Sequence, residues 1–224
     1  MSLTSCDALT IVFAKAPRAG TVKTRLIPAL GAEGAATLHR QLLHGTLVTV
    51  TNAGLGPVEL HVAPDTSDAF LQDCARRFGV ALAPQRGHDL GTRMCHAFDE
   101  ALARHARVIL VGTDCPVLTE QHLRDADAAL DPAQTTQPIR GGNDAVLIPA
   151  EDGGYALIGL RQCDARLFEG IAWGSDTVLA ATRARLKALG WRWHELETLW
   201  DIDRPEDYRR WSERVINDAA SRLA

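Results

Sequence analysis

Along the chain, short runs of consecutive apolar residues alternate with longer segments whose apolar residues recur every three or four positions. The first pattern suits strands buried on both faces, and the second suits amphipathic helices laid against them. Thr10–Ala14 (TIVFA) predicts a first strand. From Glu33 to Val50, the spacing of Ala35, Leu38, Leu42, Leu43, Leu47 and Val50 predicts a helix, with His39 and His44 read as surface residues. Val58–Ala63 is the next strand, a helix follows from about Ser67 to Phe78, and Val80–Ala83 is a third strand. Asp89 is a natural N-cap for a helix whose apolar face is Leu90, Met94, Ala97, Phe98, Ala101 and Leu102. Val108–Val111 is another buried run, Glu120–Leu130 a helix and Ala145–Ile148 a further strand. Asp152-Gly153 is a hairpin signal that turns Tyr155–Leu160 back antiparallel. A helix then starts near Ser175, Arg192–Leu196 is a last strand, and Pro205 opens a terminal helix. This rhythm predicts an α/β fold, a Rossmann-like, mostly parallel sheet with helices on both faces, with residues 1–224 forming one domain.

Composition narrows the class. The chain is 46% hydrophobic and 23% charged with a net charge of -4, which suits a soluble globular protein and gives no bulk electrostatic case for nucleic acid. Five cysteines (Cys6, Cys74, Cys95, Cys115, Cys163) are odd in number and never spaced as CxxC. That pattern argues against a disulfide framework and a structural zinc site, and fits a reducing cytoplasmic setting. No apolar segment approaches the roughly 18 residues that span a bilayer. The first ten residues, MSLTSCDALT, lack the basic flank and apolar stretch of a signal peptide.

Chemistry-bearing residues gather where strands end. Asp114 comes three residues after the run Val108–Val111, beside Gly112 and Pro116. Ligands of open α/β sheets bind outside the carboxyl ends of strands, so this carboxylate suits a cation or a ligand; it equally suits a turn or the cap of the helix starting near Thr119. The first strand runs into KAPRAGTVKTRL, where Lys15, Arg18, Lys23 and Arg25 crowd together and Pro17 and Gly20 keep the backbone out of helix. That loop suits a phosphate, although it has neither the Walker A nor the GxGxxG spacing, and four cations also make an ordinary solvated loop. Asp152 sits in the DG turn, which most often is only a turn. Asp201 and Asp203 flank Ile202, so in an extended segment both carboxylates face one way while the isoleucine faces in; Asp203 with Glu206 also reads as a helix-capping pair. Gly91, in the first turn of its helix, suits either the close passage of a base or ribose or a tight start to the helix. Carboxylates with cations at one sheet edge suit Mg²⁺ or Mn²⁺ bridged to a diphosphate. GxSxG and HExxH are both absent, so serine-hydrolase and zinc-protease readings lack support.

In order along the chain, FAKAPRAGTVKTRL, QRGHDLGTRM, VGTDCP, PAEDGGYALIGL, WGSDTVLAAT and DIDRPED resemble the motifs of a bacterial family of nucleotide-diphospho-sugar transferases, glycosyltransferase-like with the GT-A fold. The resemblance covers about residue 10 to residue 208. It implies a metal-dependent transferase with a nucleotide-linked donor, most directly glycosyl transfer from an NDP-sugar, with the acceptor unspecified. Carried over by motif, Asp114 matches a first metal-binding aspartate and Asp203 the second, with Asp201 as its alternate. Lys23 and Arg25 match the basic pair on the phosphates; Lys15, in the same loop, is a further phosphate-binding candidate, and Asp152 is the leading candidate for the base or an acceptor contact. Gln85 and Gly91 match the segment that meets the base or ribose. The first loop is also similar to that of phospholactate guanylyltransferases, which keeps nucleotidylyl transfer open beside glycosyl transfer, and a nucleotide-binding protein without turnover is the third reading. Two departures stand out: Arg204 replaces the threonine usual before the proline, and the segment from Asp131 to Gly142 looks longer than usual.

Overall fold

The computed structural model describes residues 8–132 and 142–221. Seven strands form one sheet: β1 (Ala8–Lys15), β2 (Val58–Ala63), β3 (Ala81–Pro84), β4 (Arg107–Val111), β5 (Ala145–Pro149), β6 (Tyr155–Leu160) and β7 (Trp193–Glu195). Their spatial order is β3-β2-β1-β4-β6-β5-β7. All neighbouring pairs are parallel except those of β6, which runs antiparallel to both β4 and β5. The hairpin expected at Asp152-Gly153 therefore forms. The mostly parallel α/β architecture agrees with the sequence pattern.

Alternation along the central strands explains why both faces are covered. On β1, Leu9, Ile11 and Phe13 pack toward one face and Val12 and Ala14 toward the other. The first group meets α3 (Leu90–Leu102) and α5 (Val178–Ala188) through Met94, Phe98, Leu179 and Leu186. The second meets α1 (Ile27–Ala53), α2 (Ala69–Phe78) and α4 (Glu120–Leu130) through Leu43, Leu47, Leu71 and Leu123. A smaller cluster of Leu26, Leu38, Leu42, Trp200 and Ile202 joins the first loop and α1 to the segment before α6 (Pro205–Ser221).

Differences from the sequence pattern lie at element ends. Helix α1 begins at Ile27 rather than Glu33, with Gly31 (φ 69°, ψ 168°) breaking it after its first turn, so the period is read only beyond the break. Helix α5 begins at Val178 because Ser175 and Thr177 bond each other in a turn before it. Asp68 and Asp89 cap α2 and α3. The segment from Asp131 to Gly142, expected to be longer than usual, lies largely outside the described residues.

Two crossovers place helices on the α1 face, and the next, through α3, passes over the other face to β4. The direction of winding thus reverses between β1 and β4, and such a switch point opens a crevice at the carboxyl ends of the two strands.

Candidate active site

The crevice is filled by the loop leaving β1. Val22 and Leu26 are buried, which draws the intervening backbone inward, and Lys23 takes a left-handed conformation (φ 48°, ψ 41°). Its side chain is almost wholly buried: Nζ lies 2.8 Å from Asp114 Oδ1 and donates to the backbone carbonyl of Ile202 at 2.5 Å. One ammonium therefore joins three separate segments. The backbone repeats the link, since Ile202 N–H donates to the Asp114 carbonyl at 2.8 Å.

The acids converge through distinct devices. Asp114 leaves β4 at the switch point, and Thr113 and Lys23 both address its Oδ1. Among the described residues, no hydrogen bond addresses Oδ2. Burial raises the Asp114 carboxyl, but the charge and hydrogen bond of Lys23 more than offset this and hold it below its usual range. Asp201 and Asp203 are placed by burial of Trp200 and Ile202 between them and the core. Burial, and then the charges of Asp152 and Asp114, push Asp201 up to about 6. Asp203 pairs with the Arg25 guanidinium. Asp152 arrives with the turn after β5, because Glu151 N–H donates to the Leu199 carbonyl (2.9 Å) and ties that turn to the 199–203 segment. Gly153 is required there: a Cβ would lie 2.1 Å from the Asp176 carbonyl oxygen. Asp152 is exposed, and its Oδ1 accepts from Gly154 N–H at 2.8 Å.

Helix α6 is capped from within its own first turn. Asp207 Oδ2 accepts from the backbone N–H groups of Asp203 (3.1 Å) and Arg204 (2.7 Å). The cap is neither Asp203 nor the Asp203/Glu206 pair, which leaves the Asp203 carboxylate facing Arg25. Arg210, on the same helix, pairs with Glu151 and stacks over Trp200, fastening the helix to the turn that carries Asp152.

The remaining predicted residues separate. Lys15 is exposed at the end of β1, and among the described residues neither it nor Arg18 forms an ion pair. Gln85 Nε2 donates to the carbonyls of Ala14 (3.1 Å) and His61 (3.0 Å), closing the ends of β1 and β2. Gly91 is buried, and the space of its missing Cβ belongs to the chain itself, with Trp173 Nε1 at 2.6 Å and the Phe168 carbonyl at 2.8 Å. Close packing on Trp173 thus accounts for this glycine.

One residue read as surface is not. His39 is buried, and its Nε2 bonds the Lys15 carbonyl at 3.0 Å. Burial lowers its pKa while Asp114 pulls it upward, and among the described residues Nδ1 has no partner. The signal was its place one turn after Ala35 and one before Leu43, inside the apolar stripe of α1.

The family model described as "Uncharacterized protein conserved in bacteria (DUF2064)" matches residues 46–175. The chain belongs to the DUF2064 family. Asp114, Asp152, Gln85 and Gly91 fall within the matched span, and Lys15, Lys23, Arg25, Asp201 and Asp203 fall outside it. No curated protein matches the sequence. A structure described as a "putative nucleotide-diphospho-sugar transferase" from Desulfovibrio desulfuricans G20 is similar to this DUF2064 protein at 29% identity and a TM-score of 0.77, covering 88% of this chain and 83% of that one. A nucleotidyl transferase from Methanothermobacter shares the fold at 14% identity and a TM-score of 0.62, with 94% and 98% coverage. So does Rv0371c of Mycobacterium tuberculosis H37Rv in complex with manganese, at 17% identity and a TM-score of 0.52, with 91% and 97% coverage. The fold is thus a transferase-like α/β fold. Among the described residues, no helix is long and apolar enough to cross a membrane.

Proposed function

We propose that this DUF2064 protein is a metal-dependent transferase that takes a nucleotide-diphosphate-linked donor and moves its glycosyl group. The observation that carries the reading is the meeting of Lys23, Arg25, Asp114, Asp152, Asp201 and Asp203 at the switch-point crevice, from segments far apart in sequence. A divalent cation fits the donor set. The acids are hard oxygen donors, they raise one another's charge cost, and Asp114 keeps Oδ2 clear of protein partners among the described residues. Asp114 with Asp203 or Asp201 would hold Mg²⁺ or Mn²⁺, which supplies Lewis-acid stabilisation of diphosphate charge.

The chain's own residues do the rest. Arg25, exposed and able to exchange Asp203 for a phosphate, neutralises the diphosphate together with Lys15. Lys23 holds Asp114 in place. As the bond from the sugar carbon to the phosphate oxygen breaks, its electron pair leaves with the nucleoside diphosphate. The acceptor hydroxyl forms the new bond, and its proton passes to the free oxygen of Asp152.

Nucleotidylyl transfer uses the same groups, with attack at phosphorus and departure of pyrophosphate; it gains support from the shared fold of the Methanothermobacter nucleotidyl transferase. One assay separates the two. Incubation with Mn²⁺ and panels of NDP-sugars and NTPs with phosphorylated acceptors should release UDP or GDP under glycosyl transfer; pyrophosphate release selects the second reading. Nucleotide binding without release of either selects a binding protein. Asp114→Asn should abolish metal-dependent nucleotide binding, and unchanged titration would overturn the assignment.

A further inference from the structure

We propose that Cys95, Asp99 and Cys163 form a second metal site, for a thiophilic divalent cation of the zinc class, on the face of the sheet covered by α3. Among the described residues this is the only group of three ligating side chains whose donor atoms all lie within 4.8 Å of one another. Cys95 and Asp99 stand one turn apart on α3, so both point the same way. Cys163 comes from the segment after β6, 68 positions further on. Sequence spacing argues against zinc here because no two cysteines are near each other in the chain; the fold pairs them instead.

The distances suit a bound metal and are too long for a disulfide. Sγ of Cys95 lies 3.8 Å from Sγ of Cys163 and 3.8 Å from Asp99 Oδ2. A tetrahedral zinc with Zn–S bonds of about 2.3 Å has a sulfur–sulfur edge of about 3.8 Å, and with a carboxylate oxygen at about 2.0 Å its sulfur–oxygen edge is about 3.5 Å. Two edges of the observed triangle therefore approach those of such a site, and the third, from Cys163 Sγ to the Asp99 carboxylate, lies within 4.8 Å. A disulfide needs the sulfurs at about 2.05 Å. Two thiolates and one carboxylate select zinc over magnesium or manganese, which favour oxygen donors alone. Asp99 is exposed, so the fourth position opens to water. Binding releases the two thiol protons to solvent and forms two metal–sulfur bonds, with no change of oxidation state.

The site has a structural consequence. The segment bearing Cys163 continues to Phe168, which stacks on Phe98 of α3 at 5.9 Å, and to Trp173, which packs on Gly91 in the first turn of that helix. A metal at Cys163 would fasten this segment to α3.

The test uses the full-length protein, reduced, stripped of metal and titrated with Co²⁺ alone. One equivalent should bind with a thiolate-to-cobalt charge-transfer band and tetrahedral ligand-field bands, both displaced by one equivalent of Zn²⁺, and Zn²⁺ should raise Tm. Cys163→Ser should weaken the charge-transfer band and binding, the Cys95→Ser/Cys163→Ser double variant should lose the band and the Tm rise, and Asp99→Asn should weaken binding. Asp114→Asn should retain the band, which separates this site from the carboxylate edge whatever becomes of the proposed transfer reaction. Absence of the band in the wild-type protein overturns the proposal. So does its persistence in the Cys95→Ser/Cys163→Ser double variant, because Cys115 beside Asp114 would then be the thiolate. Formation of a Cys95–Cys163 disulfide under a mild disulfide oxidant, without cobalt uptake by the reduced protein, overturns it in favour of a redox pair.

Discussion

Two ion pairs join the same basic loop to the same acidic edge, and they differ in where water is. In the first, Lys23 has 3% of its side chain exposed and Asp114 has 49%; in the second, Arg25 has 57% and Asp203 has 30%. Lys23 has its partners inside the protein, Asp114 and the Ile202 carbonyl, and cannot leave them for solvent without cost. Arg25 sits in water and can exchange its partner for a ligand at little cost. The contrast teaches that neighbouring cations in one motif divide the work, one building the site and one available to bind.

The largest expected effect breaks the first pair. Asp114→Ala leaves a buried ammonium with only a carbonyl, and should cost about 3 kcal/mol, the low end for orphaning a buried charge because Asp114 itself is half in water. Urea unfolding of the variant against wild type measures it, and a loss below about 1 kcal/mol would put Lys23 in the exchangeable class with Arg25.

A third ion cluster, remote from the crevice, sharpens the contrast by pH. Glu59, 13% exposed, accepts from His61 Nε2 at 2.8 Å and pairs with Arg104 at 2.9 Å. The His61 hydrogen bond foremost, then Arg104, lowers its pKa from 4.5 to about 2 against the opposing effect of burial. A depressed carboxyl stabilises the fold above its unfolded pKa and loses that contribution as pH falls through the folded value. About 3 kcal/mol should thus be fully present above pH 4.5 and disappear toward pH 2. Unfolding curves across that window should show the slope in wild type and a flattened one in Glu59→Gln, with nucleotide affinity at pH 7 unchanged.

Gly91 tests the boundary between packing and binding. Gly91→Ala drives a Cβ into Trp173 and the Phe168 carbonyl and should cost about 2 kcal/mol by overpacking. Calorimetry of the folded variant should find nucleotide affinity as in wild type; a selective loss of affinity with stability intact would return Gly91 to the base or ribose.

The sheet was legible from the sequence because its central strands are buried on both faces and read as unbroken apolar runs, and its helices because one stripe of each is apolar. Asp114, Lys23 and Asp203 were legible as types of residue at strand ends, since that is where an α/β sheet puts ligands. Which acid faces which cation was not, because Lys23 reaches Asp114 and Ile202 only through a left-handed turn at a non-glycine residue. His39 was misread since a polar residue inside an apolar stripe shows no period of its own. Cys95 and Cys163 look scattered in the sequence since their meeting is set by how the segment after β6 lies on α3.

The smallest expected effect decides most finely between the two kinds of pair. Asp203 and Asp207 are both carboxylates at the start of α6, yet only Asp207 bonds the helix backbone, while Asp203 faces an exposed guanidinium. Asp207→Ala removes a cap and should cost about 1 kcal/mol while sparing metal-dependent nucleotide binding. Asp203→Ala removes only a solvated pair and should cost less than about 1 kcal/mol. Its effect should appear instead as weaker nucleotide binding in the presence of Mn²⁺, read by calorimetric titration of both variants beside their unfolding curves. If Asp203→Ala proves the more destabilising and binds as wild type does, then Arg25 and Asp203 belong with Lys23 and Asp114 as internal structure, and the metal must find its second carboxylate in Asp201.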